Sequence, residues 1–574
     1  MTALGTADTL PFMPYPRFAS RTVFLALSLL SACAASDASS GAPNSGTEYP
    51  AGAFGQFLAG RFAMAEADPD SGATALSKAV TLAPSEQDLI VQAFLANLAA
   101  ERPDVLTLAR SIPDNQIAQL VLADEDMRAG RWGAAEQRYH ALPRQGLTQL
   151  LQPLLVAWAQ QGGGHTDAAL ATVHPFAENP RFRGIFALHA AMIADLAGRR
   201  ADAARYYDIV RGDAADTNLR LAQILASWQA RDGQPEAARQ LLTSVANRVP
   251  EIRIALGDLL AHMKERPVAN MSDGVAEAYV ALAAALRAQD QNDLALLMLH
   301  LAFRVRPDFA AARLLQEEIQ TTEKHLGLAL KAVEKISAKD PLTSMARLRR
   351  AALLTQLDRT DDAIDALKRI GGDYPNSPLP DIQMGDLLRV KRRYAEAIVS
   401  YTKAIARIDV PQKSDWAVFY DRGVAYERAG KWSLAEADLK LALQLSPGQP
   451  FVLNYLGYSW ADMGRNLPLA RDMIQAAAAS RNNDGAVTDS LGWVMFRQGD
   501  VAAAVRTLER AVELEPEDST ITDHLGDVYF AAGRKLEARY EWKRALTLNP
   551  APEDVPKLEE KLKNGPAAGG HRTP

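Results

Sequence analysis

From Trp416 to Pro550 apolar and small residues recur at helical spacing in units that resemble one another. Gly423, Gly457, Gly492 and Gly526 follow at steps of 34, 35 and 34 residues, and each is followed by a second glycine, Gly430, Gly464, Gly499 or Gly533. Three of the units then carry a small residue, an apolar residue, another alanine and a closing proline: Ala435, Leu439, Ala442, Pro447; Ala504, Leu508, Ala511, Pro516; Ala538, Trp542, Ala545, Pro550. A period of this length is the mark of a repeat array. The first glycine removes Cβ where two antiparallel helices cross closely, and the second sits where the first helix ends and turns. The alanines let the second helix approach its neighbours, and the proline stops it. Each unit therefore predicts a helix-turn-helix hairpin.

The segments GVAYERAGKWSLAEADLKLALQLSP and LGDVYFAAGRKLEARYEWKRALTLNP resemble the tetratricopeptide repeat at several independent positions. The resemblance implies an all-α, right-handed solenoid of about thirteen hairpins. Val555, Leu558 and Leu562, at helical spacing among Lys and Glu, predict a capping helix within 551–574, ahead of a disordered tail. Upstream, Gly130, Gly198 and Gly233 mark degenerate repeats in a solenoid over 53–250. Pro267, Asn270, Ser272 and Asp273 interrupt the pattern, so 251–275 is expected to be a hinge before a second solenoid over 276–550. The spacing also loosens around Ile408 to Asp415.

At 574 residues the chain is too long for one ordinary core, but a solenoid grows by stacking. Hydrophobic residues make up 48% and charged residues 23%, which fits amphipathic helices, and the formal net charge of −6 gives no footprint for nucleic acid. The single cysteine, Cys33, excludes an intramolecular disulfide framework. It follows Arg17, Arg21 and the apolar run Val23 to Leu30, the plan of a secretory signal over 1–32, with Met13 a possible true start. The sequence LSAC resembles the bacterial lipobox, which implies lipidation of Cys33 and, with Ala34 next, an outer-membrane lipoprotein facing the periplasm. An ordinary signal peptide or a buried N-terminal helix is the alternative. Residues 33–52 then read as a lipidated cysteine and a flexible tether, the coil from Ala34 to Tyr49 spanning roughly 20 Å.

Candidate chemistry is sparse. No histidine pair has the spacing of a zinc protease, no serine sits in a nucleophile elbow, and Gly430-Lys431 lacks the hydroxyl of a phosphate loop, so no catalytic, cofactor or metal site is expected. His524 adjoins Asp523, but neighbours on a helix do not face each other. In tetratricopeptide arrays the first helices line the concave face. The resemblance therefore places Tyr420, Tyr458, Trp493, Phe496 and Phe530 towards a partner-binding groove, with Asn454, Asp489 and Asp523 beside them. Exposed, the aromatics would anchor a partner; packed between adjacent first helices, they would be core. LNYLGYSWADMGRN and DSLGWVMFRQGD, with the lipobox and tether, resemble outer-membrane lipoproteins that recruit carboxyl-terminal processing proteases to cell-wall hydrolases. A non-enzymatic adaptor is the leading expectation; a scaffold for polysaccharide or pilus export, or a sugar-binding or enzymatic activity in the N-terminal half, are the rivals.

Overall fold

The computed structural model describes residues 52–146, 148–213 and 218–566. The signal segment, Cys33, most of the tether and the residues after 566 lie outside that range. Among the described residues the fold is all-α, with thirty helices and no strand. Packing divides the chain near residue 370 into two compact units.

The N-terminal unit begins with six hairpins: α1 (Ala53–Ala65) with α2 (Pro69–Leu82), α3 (Gln87–Ala99) with α4 (Val105–Ser111), and α5 (Gln116–Arg128) with α6 (Trp132–Ala141); then α7 (Thr148–Gly162) with α8 (Thr166–Ala177), α9 (Arg183–Leu196) with α10 (Arg200–Asp213), and α11 (Leu219–Arg231) with α12 (Pro235–Arg248). A 3-10 stretch, Pro250–Ala255, and the short α13 (Leu256–Ala261) break the rhythm. Three further hairpins follow: α14 (Met271–Arg287) with α15 (Asn292–Val305), α16 (Ala310–Thr322) with α17 (Leu326–Glu334), and α18 (Thr343–Gln356) with α19 (Thr360–Asp373).

The C-terminal unit holds α20 (Leu379–Val390) with α21 (Tyr394–Ile405), α22 (Trp416–Arg428) with α23 (Trp432–Leu445), and α24 (Pro450–Asp462) with α25 (Leu467–Ser480). It closes with α26 (Gly485–Arg497) and α27 (Val501–Leu514), α28 (Ser519–Ala531) and α29 (Lys535–Thr547), and the single α30 (Val555–Asn564). The described chain thus has fourteen hairpins and a last helix, close to the thirteen expected.

The repeat residues act as packing devices. A Cβ on Gly492 would stand 2.7 Å from Leu508, and one on Gly526 2.5 Å from the Trp542 indole, so only glycine admits those crossings. Ala435, Leu439, Ala442, Ala504, Leu508, Ala511, Ala538, Trp542 and Ala545 are all fully buried. The turn is a left-handed backbone position, taken by Gly130, Gly198, Gly233, Gly430, Gly464, Gly499 and Gly533. At the same place in the degenerate hairpins stand Ala67, Glu101, Asp290, Lys324, Asp358 and Arg392, each with φ between 55° and 66°. The turn survives where its glycine does not.

The expected hinge at 251–275 is corrected. The segment is irregular, but it does not separate independently packed halves, because α14 folds back onto earlier first helices. Gly274 lies against the face of Trp158 in α7, where a Cβ would come within 2.2 Å of the ring. The Tyr279 hydroxyl donates to Asp124 in α5 at 3.0 Å, beside the Tyr139 hydroxyl at 2.7 Å. Arg313 in α16 pairs with Glu101 at 2.5 Å, and Arg349 in α18 with Glu251 at 2.8 Å. One continuous core runs from Ile90 to Ile319. The apolar stripe of α14 (Val275, Ala278, Tyr279, Ala283) fills space that a simple stack of hairpins leaves beside its first helices.

Candidate functional site

The first helices α24, α26 and α28 lie side by side, and their facing residues meet in one layer. His524 on α28 stacks on Trp493 of α26, ring centroids 4.2 Å apart and planes at 20°, and Tyr458 of α24 stands 6.2 Å from the same imidazole. Both carboxylate oxygens of Asp489 lie 2.9 Å from His524 Nδ1. Burial opposes the imidazolium, but Asp489, its hydrogen bond, Asp523 and Asp527 together hold His524 up to about 9. Burial also pushes the Asp489 carboxyl up, against the pull of His524. The two-oxygen contact favours a buried ion pair.

Asp523 and Asp527 on α28 both receive Lys561 Nζ from α30, at 2.7 and 2.8 Å. The far end of α30 closes over Phe530, against which a Cβ on Gly565 would stand 2.8 Å away. At the other end of the unit, Arg389 lies 3.6 Å from Asp421, whose carboxyl burial pushes up to about 7. Tyr420 meets Tyr455 edge to face at 5.7 Å.

These contacts correct the expectation of exposed groove anchors. Tyr420, Tyr458, Trp493, Phe496 and Asp489 are buried, Trp493 to 8% exposure. Neighbouring first helices approach so closely that an aromatic ring on one reaches over the next. Asn454, Asp523 and Phe530 are half-buried and remain at the surface of the layer. His524 escapes a reading by chain neighbours, since Asp523 does not face it; its partner Asp489 lies 35 residues back, about one repeat, on the adjacent first helix.

Two polar atoms of this layer have no hydrogen-bond partner among the described residues: the Trp493 indole nitrogen and the Asn454 side-chain oxygen. One is a donor and the other an acceptor, on the contacting helices α26 and α24.

Residues 382–450 and 490–552 match one tetratricopeptide-repeat family model, and residues 345–377 match another. These segments are tetratricopeptide repeats. A TPR repeat-containing protein of Pseudomonas aeruginosa is 27% identical over 175 residues, which is 30% of this chain and 29% of that protein. The match therefore spans less than a third of the relative's length. Among solved structures, the Cut9–Hcn1 hetero-tetramer of the APC/C is similar over 89% of this chain and 96% of its own, with 13% identity and a TM-score of 0.39. Yeast Tom70 is similar over 89% and 95%, with 13% identity and a TM-score of 0.32. YrrB, described as a TPR protein with an unusual peptide-binding site, covers 31% of this chain and 89% of its own, with 17% identity and a TM-score of 0.27. Tetratricopeptide repeats generally bind protein partners or peptides, and the repeats here support an interaction scaffold.

Proposed function

We propose that the chain is a non-enzymatic scaffold that holds protein partners against the first-helix layer of its C-terminal repeats. The observation that carries this reading is the tetratricopeptide-repeat match over residues 382–450 and 490–552. Half-exposed Phe530 and Asp523 extend the same layer.

The scaffold is tied through a lipid on Cys33 to the periplasmic side of an outer membrane, and one of its partners is a carboxyl-terminal processing protease acting on cell-wall hydrolases. The lipobox-like LSAC supports the anchor, and the resemblance of LNYLGYSWADMGRN and DSLGWVMFRQGD supports the partner.

The soluble form from Glu48 onward, immobilised and exposed to an envelope extract, is expected to enrich such a protease together with its substrates. Phe530→Ala with Asn454→Ala truncates two half-buried side chains of the layer and should abolish capture while the protein still melts cooperatively. Equal capture by both forms would sink the site. For the anchor, Cys33→Ala should lose fatty-acid labelling; retention that still needs detergent for release would refute it.

A further inference from the structure

The last helix covers part of the surface proposed for partners, and it covers it lightly. The first helices α22, α24, α26 and α28 each bury between six and nine residues. In α30, VPKLEEKLKN, Leu558 alone is fully buried, with Leu562 packed beside the same core. Lys561 follows Leu558 by three residues and so shares its face of the helix; its ammonium lies 2.7 Å from Asp523 and 2.8 Å from Asp527 of α28. Gly565, just past the helix, rests on the ring of Phe530.

A helix that merely ended the stack would touch the hairpin before it. The segment leading into α30 also reaches the opposite end of the unit, where Glu553 pairs at 2.9 Å with Arg392 in the turn between α20 and α21. Residues 553–565 therefore form a strap between the first hairpin of this unit and the last. Its fastenings are few. Glu553 and Arg392 are both about half exposed, and an ion pair in such a setting contributes little.

The charge under the strap is unbalanced. Asp489 is matched by His524, but Asp523 and Asp527 share the single ammonium of Lys561. Burial and the neighbouring Asp527 push the Asp523 carboxyl up, as expected of carboxylates held close together. The site calls for a cation whether or not α30 supplies it.

We propose that α30 is a displaceable strap standing in for a partner, and that this partner is an amphipathic helix carrying a lysine within its apolar face, which enters between Asp523 and Asp527. This rests on the reading of the first-helix layer as the partner surface and names the kind of partner that layer takes. The pattern to be matched is that of Val555, Leu558, Lys561 and Leu562, with Glu559, Glu560 and Lys563 exposed on the other side. Closure by α30 and binding of the partner are alternatives, so the strap sets the affinity of the surface by competition.

The test uses the chain from Glu48 onward, which keeps every described residue, and as probe a dye-labelled peptide of residues 551–566. Lys561→Glu in the chain sets a carboxylate against Asp523 and Asp527 and frees the strap. This variant should bind the peptide at least about tenfold more tightly than the unaltered chain, and a peptide carrying Lys561→Met should lose that binding. Hydrogen exchange of the unaltered chain gives a second measurement that does not depend on the variant folding: the amides of α30 should exchange about tenfold or more faster than those of α28. Exchange in α30 as slow as in α28, or a folded variant that binds no peptide, overturns the proposal and leaves α30 a fixed cap. So does a concentration-dependent doubling of mass that Lys561→Glu abolishes, which assigns the surface to α30 of a second copy. Capture from an envelope extract is read separately: peptide binding without capture leaves the strap and removes the scaffold reading, while capture without peptide binding leaves the scaffold and removes the strap.

Discussion

The imidazole of His524 is bound by both oxygens of Asp489, each 2.9 Å from Nδ1, across two adjacent first helices in a buried layer. Removing one partner strands the other charge away from water, so Asp489→Asn or His524→Gln should each cost about 3–5 kcal/mol in chemical denaturation. A double-mutant cycle should recover a large part of that as coupling. Additive losses would mean the two residues act independently.

The same pair sets a pH dependence. His524 is raised to about 9 from an ordinary value near 6.5, so its stabilisation is full below 6.5 and is lost as pH rises through 9. Melting temperature measured from pH 6 to 10 should fall more steeply for the natural chain than for His524→Gln. Parallel curves would contradict the ion pair.

Asp124 has the same sign in a lower pH window. Burial dominates there and raises the carboxyl to about 7, despite hydrogen bonds from Tyr139 and Tyr279. The folded protein holds a proton that the unfolded chain releases near 3.8, so this residue lowers stability as pH climbs from about 4 to 7. Asp124→Asn should flatten that slope in the N-terminal unit's unfolding; an unchanged slope would exclude Asp124 as its source.

Backbone strain at the turns is separable from packing. Lys324 holds φ 66° at a position where other hairpins use glycine, a conformation that costs a residue with Cβ about 1–2 kcal/mol. Lys324→Gly should stabilise by about 0.5–1 kcal/mol, the remainder being lost to the freer unfolded chain. Gly492→Ala, whose Cβ would meet Leu508 at 2.7 Å, should destabilise by about 1–3 kcal/mol. Thermal denaturation of both variants checks the opposite signs.

Truncation distinguishes core from surface in the first-helix layer. Trp493→Ala should cost about 3–5 kcal/mol because the indole is buried between Phe496 and His524. Asn454→Ala, at a half-buried position with an unpaired oxygen, should cost little. A mild loss at Trp493 would restore the exposed-anchor reading.

The C-terminal hairpins were legible because each signal is local. Gly492 and Leu508 lie 16 residues apart and repeat with the period, so the crossing can be read without knowing the fold. The degenerate hairpins were harder, since the chain records the turn only where glycine occupies it; nothing in the identity of Glu101 or Lys324 announces a positive φ. The return of α14 left no local trace at all. Tyr279 and Asp124 are 155 residues apart, and a helix with a buried stripe looks the same whether it stacks on the previous hairpin or on one far upstream. The aromatic layer failed for a related reason: spacing shows that Trp493 faces its neighbours, not how near those neighbours stand.

That returning helix changes how the molecule comes apart. In a solenoid whose hairpins touch only the next in line, order can be lost from an end one hairpin at a time. The contacts of α14 close a loop of well over a hundred residues, so the N-terminal unit gains little until its last pieces are in place and gives up little until they leave. Its unfolding is therefore that of a slow, all-or-none latch and not of a fraying zipper.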